Sequence, residues 1–259
     1  MSPLATPFPA IFSLAGETAL ITGGGTGIGR AIAECMHAAG ATIVLAGRRE
    51  NILQEEVARL GERAQYVVHD ITNLEGAHIL REKTEALVGP VTSLVNNAGI
   101  HIKKPAVETT TAEFQRVLDT HVLGSHALTV EFAPGMMERK HGSILFTASM
   151  ASLFGIPKVI AYTAAKSAYV GMVKGLATEF SPHGLRVNAI APGWIDTDMS
   201  RQAFAGDPER LNKILNRTPT GELGTPQDVG WAAVYLASPA AHFVTGTILP
   251  VDGGVSIGF

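Results

Sequence analysis

The stretch Thr18-Ala19-Leu20-Ile21-Thr22-Gly23-Gly24-Gly25-Thr26-Gly27-Ile28-Gly29 decides how this chain folds. A short run of aliphatic and β-branched residues ends at Thr22, and a helical pattern runs from Ile28 to Ala39, where Gly40 stops it. The glycines between them let the backbone turn sharply from strand to helix and leave room for another molecule to approach the main chain. The N–H groups and dipole at the start of that helix then face an anion. Gly23, Gly27 and Gly29 are spaced G-x-x-x-G-x-G rather than G-x-G-x-x-G, but the physics of a pyrophosphate cradle is shared. Thr22, Gly23, Gly25, Thr26, Gly27, Ile28 and Gly29 are therefore read as dinucleotide-binding residues.

Outward from this turn, short apolar runs alternate with longer helical patterns, as a parallel sheet with crossover helices requires. Further strands are expected at Thr42–Ala46, Gln65–Val68, Ser93–Val95, Ser143–Thr147, Arg186–Ile190 and Thr247–Val251. Helices are expected at Asn51–Leu60, Leu74–Leu87, Glu113–Glu138 (bent late by Pro134) and Tyr162–Phe180. The fold class is α/β: a single doubly wound, Rossmann-like domain with about seven parallel strands and helices on both faces. It would span residues 14–259, behind an extension at 1–13, with a substrate lid at about 194–215.

The 259 residues are 46% hydrophobic and 17% charged, enough for a large core and for surface shared between subunits. A net charge of −3 gives no reason to expect a nucleic-acid or membrane partner. Met1–Phe12 lacks a basic region and an apolar run, and no stretch of about 18 apolar residues occurs. The single cysteine, Cys35, reads as a small core residue in a reducing compartment, so a cytoplasmic location is expected. No metal site is expected.

Two further groups of residues point to chemistry. The second strand ends Val44-Leu45-Ala46-Gly47-Arg48-Arg49, with no carboxylate where a ribose 2′-OH would be read and two guanidiniums where a 2′-phosphate would lie. NADP is the expected cofactor, with NAD the alternative. Tyr162 and Lys166 lie four apart in a helix and share one face. A free phenol titrates near 10, and a cation about 4 Å away contributes on the order of 4 kcal/mol at an effective dielectric near 20. That is at most about three pKa units, which brings a tyrosine into range for general acid–base work. Ser149, thirteen residues before Tyr162 at a strand end, can hold the reacting oxygen from the other side.

These motifs, with Asn96-Asn97-Ala98-Gly99 and Pro192-Gly193, closely resemble the short-chain dehydrogenase/reductase family over essentially all of Leu14 to Gly254. The resemblance implies an NAD(P)-dependent enzyme working on an alcohol or ketone, and a homotetramer. By it, Tyr162 is the general acid/base and Lys166 binds the nicotinamide ribose and lowers the phenol pKa. Ser149 polarises the substrate oxygen. Asp70, with Ile71 beside it, bonds the adenine, and Asn96 steadies the adjacent strand and ribose. Asn97, Ala98, Gly99, Pro192 and Gly193 line the cofactor, and Ile195 and Thr197 hold its carboxamide. Where the family usually reads Asp-x-Asn-x-x-Gly, this chain has Asp119-Thr120-His121-Val122-Leu123-Gly124. That site holds a water in the family's proton relay, so His121 is a catalytic candidate through its backbone carbonyl or its imidazole.

The segment Asn97-Ala98-Gly99-Ile100-His101-Ile102-Lys103-Lys104-Pro105 and the ending Pro250–Phe259 resemble the gluconate 5-dehydrogenase-like and ketodeoxygluconate dehydrogenase-like members, which carry a basic pair after Asn-Asn-Ala-Gly. Lys103 and Lys104 could then hold a substrate carboxylate, and Trp194, Met199 and Phe204 would supply apolar contact from the lid. A simple ketone or a 3-oxoacyl substrate is the alternative. A sugar-nucleotide epimerase, which usually has a G-x-x-G-x-x-G turn and a longer C-terminal domain, ranks lower. So does a non-catalytic sensor, which would not need both Tyr162 and Ser149.

Overall fold

The structure, a computed structural model, describes residues 10–198, 200, 201, 206 and 208–258. Seven strands form one parallel sheet: β1 (Thr18–Thr22), β2 (Thr42–Gly47), β3 (Ala64–Val68), β4 (Ser93–Asn96), β5 (Gly142–Thr147), β6 (Leu185–Pro192) and β7 (Ile248–Val251), in the order β3-β2-β1-β4-β5-β6-β7. The chain winds one way from β1 to β3 and the other way from β4 to β7. The crevice outside the carboxyl ends of β1 and β4 is where such sheets bind ligands.

β1, β4 and β5 are buried along their whole length, which is why they read as continuous apolar runs rather than alternating ones. Successive residues still point to opposite faces. Leu20, Val44, Leu94 and Phe146 face one helical layer, and Ile21, Ile43, Val95 and Leu145 face the other. The first layer contains α3 (Ala77–Val88), α5 (Gly124–Arg139) and α6 (Ile160–Phe180). The second contains α1 (Gly27–Ala38), α2 (Glu50–Leu60) and α8 (Pro226–Ala237). Among the described residues no helix is long and apolar enough to cross a membrane.

Three local features differ from the expectations above. The long helix expected at Glu113–Glu138 is divided into α4 (Thr111–Leu118), a π-helical turn (Asp119–Leu123) and α5, with Pro134 inside α5. Helix α4 starts at a capping box in which Thr110 and Glu113 exchange hydrogen bonds. The lid segment contains α7 (Pro208–Arg217), which runs two residues past the expected lid. Helix α8 was not anticipated, although Thr225-Pro226 followed by Asp228 carries a capping box with proline at the first helical position.

Helices α1 and α8 pack closely because Gly230 has no side chain: a Cβ there would lie 2.5 Å from Cys35 Sγ and 2.7 Å from the Ala31 carbonyl oxygen. Cys35 is buried, and burial with the nearby Glu34 charge pushes its thiol up to about 12, so it behaves as an inert core residue. By contrast, Gly171 and Gly175 on α6 have open space around them, with nothing within 4 Å of a Cβ placed there among the described residues. We expect Gly230→Ala to destabilise the protein by about 1–3 kcal/mol through overpacking, read as a lower midpoint in urea unfolding. An unchanged midpoint would show that the α1–α8 contact is looser than described.

Candidate active site

The candidate residues collect at the carboxyl edge of the sheet, delivered there by six different strands. The first link is between the glycine turn and the end of β4. Thr22 Oγ1 accepts from the backbone N–H groups of Asn97 and Ala98, both at 3.0 Å, and donates to the Val95 carbonyl at 3.3 Å. These three bonds exhaust the hydroxyl's one donor and two acceptor sites. Asn97 Nδ2 returns the contact to the Thr22 carbonyl at 2.9 Å, and its Oδ1 accepts from Thr147 Oγ1 at 3.2 Å. Thr22 and the Asn97 side chain are therefore scaffold, and their neighbours' backbones form the crevice wall. Asn96 points the other way. It is fully buried, and its Nδ2 donates to Thr129 Oγ1 on α5 at 3.3 Å. The expected contact of Asn96 with a ribose is thus corrected, because strand alternation places it beneath the sheet.

The turn itself is shaped for a dinucleotide. Gly29 lets helix and strand close up, since a Cβ there would lie 2.3 Å from the Gly23 carbonyl oxygen. Gly27 adopts φ +54°, and the space a side chain would take is bounded only by Thr197 Cγ2, 3.9 Å away. Thr26, at the N-cap of α1, makes no side-chain capping bond, and no carboxylate occupies the first turn. The amides of Gly27, Ile28 and Gly29 can then serve an anion. Gly25 packs close to Ile52 of α2, which ties the turn to the helix beginning after Arg49. Arg49 donates to Thr26 Oγ1 at 3.4 Å, and Arg48 lies 3.8 Å from Asp70, so two guanidiniums flank the turn. Asp70 also accepts from the Thr72 backbone and hydroxyl, while Ile71 is buried beside Gly124. On the far side, Gly193 and Pro192 leave β6, and Ile195 pairs with Gly224 as an isolated bridge. Thr197 is fixed by Ser200, whose hydroxyl accepts its N–H at 2.8 Å. Trp194 is partly buried at the root of the lid, whereas Met199 and Phe204 lie outside the described residues.

Ser149 follows β5 in an extended conformation, and its Oγ accepts from the Ala151 N–H at 3.1 Å, which fixes its direction. It stands beside the phenol of Tyr162 in the first turn of α6 and favours the ionised form of that group. One turn on, Lys166 is buried, donates to the Thr147 carbonyl at 2.5 Å, and lies 5.5 Å from the Tyr162 ring centroid and 4.8 Å from that of Tyr169. The expected lowering of the phenol pKa by this lysine needs correction. Burial raises the Tyr162 pKa, with only Ser149 pulling against it. The ammonium is held by the Thr147 carbonyl and lies over the Tyr162 and Tyr169 rings. Burial also acts on Lys166, which it pushes down to about 7.

His121 sits in the π-helical turn and is 1% exposed. Its Nε2 lies 2.7 Å from the Ile100 carbonyl oxygen and 3.1 Å from the Ile100 nitrogen, while Nδ1 has no partner. Its ring meets that of Tyr162 edge-on, with centroids 5.6 Å apart, and fills the space a Cβ at Gly99 would need. Burial, reinforced by the Lys166 charge, pushes its pKa down to about 3. Its carbonyl accepts from Tyr169 Oη at 3.0 Å.

The basic pair separates. Lys104 is held by Glu113 at 2.5 Å, whereas Lys103 is exposed and has no ion pair among the described residues. His101, which spacing did not single out, also comes to the site: its ring lies edge-on to Tyr162 with centroids 6.3 Å apart. Nothing in the spacing marks it, because only the loop's path after β4 brings it there.

With this geometry, comparison with known proteins is informative. Residues 23–256 match the family model described as Enoyl-(Acyl carrier protein) reductase. The chain is 38% identical over 247 residues to a 2-dehydro-3-deoxy-D-gluconate 5-dehydrogenase from Dickeya dadantii, covering 94% of this chain and 96% of that one. It is 34% identical over 252 residues to a gluconate 5-dehydrogenase from Gluconobacter oxydans, covering 96% and 98%. The crystal structure of a gluconate 5-dehydrogenase from Burkholderia cenocepacia in complex with NADP and tartrate superposes with a TM-score of 0.92 at 32% identity, over 96% of this chain and 99% of that one. Likeness of this extent, reaching from the glycine turn almost to the C-terminus, establishes that the chain belongs to the short-chain dehydrogenase/reductase family of NAD(P)-dependent oxidoreductases acting on CH–OH donors.

Proposed function

We propose that this enzyme uses NADP(H) to interconvert a secondary alcohol and a ketone on a sugar acid, in the manner of the gluconate 5-dehydrogenases it is similar to. The observation that carries the reading is the juxtaposition of Ser149 and Tyr162 one helical turn from buried Lys166, beside a glycine turn suited to phosphate. Bound NADP(H) supplies or accepts the hydride. Tyr162 Oη gives its proton to the carbonyl oxygen on reduction and recovers it on oxidation, and Ser149 Oγ holds that oxygen in place. Lys166, poised near neutral pH, binds the ribose and restores the phenol proton. Arg48 and Arg49 take the 2′-phosphate. Lys103, the uncommitted member of the basic pair, takes the substrate carboxylate. A 3-oxoacyl substrate is the second reading, supported only by the acyl thioester named in the matching family model's description, Enoyl-(Acyl carrier protein) reductase.

NADPH oxidation, followed at the nicotinamide absorbance band, should be fastest with 5-keto-gluconate among sugar acids, simple ketones and 3-oxoacyl thioesters. NADH should be the poorer donor. Tyr162→Phe should lower turnover by about 10²-fold or more while leaving NADPH affinity intact. Activity within tenfold of wild type would sink the acid–base role.

His121 we assign a positioning role. Its Nε2 is engaged by the Ile100 backbone, and protonation of the ring needs strong acid, so the imidazole is a poor relay. The unfolded chain binds a proton at His121 below about pH 6.5, whereas the folded chain does not until about pH 3. Folding stability from this residue therefore falls as the pH drops through that window. Between pH 7.5 and 4.5, His121→Asn should gain about 2–3 kcal/mol relative to wild type in denaturant titrations. A catalytic pH limb at 6–7 that vanished in His121→Asn would instead make the imidazole a proton carrier.

The open glycine face of α6 supports a homotetramer built on that face, and the buried thiol suits a reducing interior such as the cytoplasm. Sedimentation should give a tetramer at micromolar concentration, and Gly175→Leu should reduce it to smaller species. A wild-type monomer would refute the assembly.

A further inference from the structure

The loop after β4 is anchored at two points that bracket His101. Ile100 is held by the His121 imidazole, and the Lys104 N–H donates to the Lys158 carbonyl at 2.8 Å. Between these anchors His101 is exposed and makes no hydrogen bond to the protein among the described residues, although its ring rests edge-on against Tyr162 at 74°. Tyr162 thus lies between two imidazoles, one enclosed in the core and one facing solvent. The enclosed ring has its Nε2 held by the Ile100 backbone. The outer one has both nitrogens uncommitted.

We propose that His101 is a specificity-determining residue that hydrogen-bonds the hydroxyl on the carbon next to the reacting carbinol, so that the site selects vicinal diols and α-hydroxy ketones. The geometry gives the reach. The oxygen held by Tyr162 and Ser149 sits on the reacting carbon, and a hydroxyl one carbon away lies within about one hydrogen-bond length, ~3 Å, of it. The His101 ring, edge-on to the Tyr162 ring with centroids 6.3 Å apart, is the exposed side chain on that flank of the phenol. Burial, then the Lys103 charge, lowers the His101 pKa, so near neutrality the ring offers one donor and one acceptor. A hydroxyl can use either. A polyhydroxylated acid presents this arrangement at every carbon, whereas a simple ketone or a 3-oxoacyl chain leaves the imidazole unmatched, and sites built for a hydroxyl discriminate against analogues that lack it. The inference rests on the dehydrogenase reading above and narrows its substrate class.

The test compares 3-hydroxybutan-2-one with butan-2-one, two ketones of equal chain length that differ by the neighbouring hydroxyl. Wild type should prefer the hydroxy ketone in kcat/KM. His101→Leu should remove about tenfold of that preference, through KM, leaving butan-2-one and NADPH affinity within twofold of wild type. His101→Gln should restore most of it. An equal loss on both ketones would make His101 a mere support for Tyr162 and overturn the proposal. So would a wild type that does not favour the hydroxy ketone. Lys103→Met, assayed with 5-keto-gluconate and L-sorbose, tests the sugar-acid reading separately. Its failure there would leave the His101 result standing.

Discussion

The hydroxyl of Thr22 is the point on which the rest of the site depends. A parallel sheet ends with backbone amides that the next strand no longer pairs, and unpaired amides in a crevice are costly. Here one side chain binds two of them, at Asn97 and Ala98, and passes its own proton to Val95. The switch point between β1 and β4 is thereby closed from beneath. The glycine turn above one strand and the Asn97–Ile100 segment above the other become a single rigid wall. Everything placed on that wall inherits its position: the Gly27 opening, the Gly99 gap that admits His121, and the ring of Tyr162 resting on that imidazole.

Burial, rather than pair attraction, sets the proton affinities around Tyr162. Both the phenol and the ammonium are pushed towards their neutral forms, one upward and one downward. A Coulomb estimate from sequence spacing alone assumes that the cation points at the oxygen. The helix does bring the two residues to one face, but the Thr147 carbonyl takes the ammonium. The lysine is the group brought close to neutrality, and the phenol is held in its protonated form.

Most of the fold was legible because its signals are local. The β1 run, the glycine turn and Gly40 mark one β–α unit from composition alone, and Ser149, Tyr162 and Lys166 are fixed by strand-end and helix-turn spacing. What escaped depends on contacts distant in sequence. Asn96 and Asn97 look equivalent, yet alternation buries one against Thr129 and turns the other to the turn. Lys103 and Lys104 look like a pair until Glu113 claims one of them. His101 has no periodic partner, and its place beside Tyr162 follows only from the path of the loop. Helix α8 is a different case, since the capping signal at Thr225 was present and simply not read.

The wide turn at Asp119–Leu123 has a consequence for what this lineage can change. A π turn holds one residue more than an α-helical turn, and such turns cluster at functional sites. Because the turn is wider, it absorbs that residue locally, and the helix after it keeps the direction it would have without it. Leu128, Phe132 and Met136 therefore stay in the core, and Ser125 keeps its bond to Tyr169. A residue can be gained or lost at such a turn without turning the core-facing side of α5. The wide turn thus lets the surroundings of His121 be reshaped while the packing behind it stays as it is.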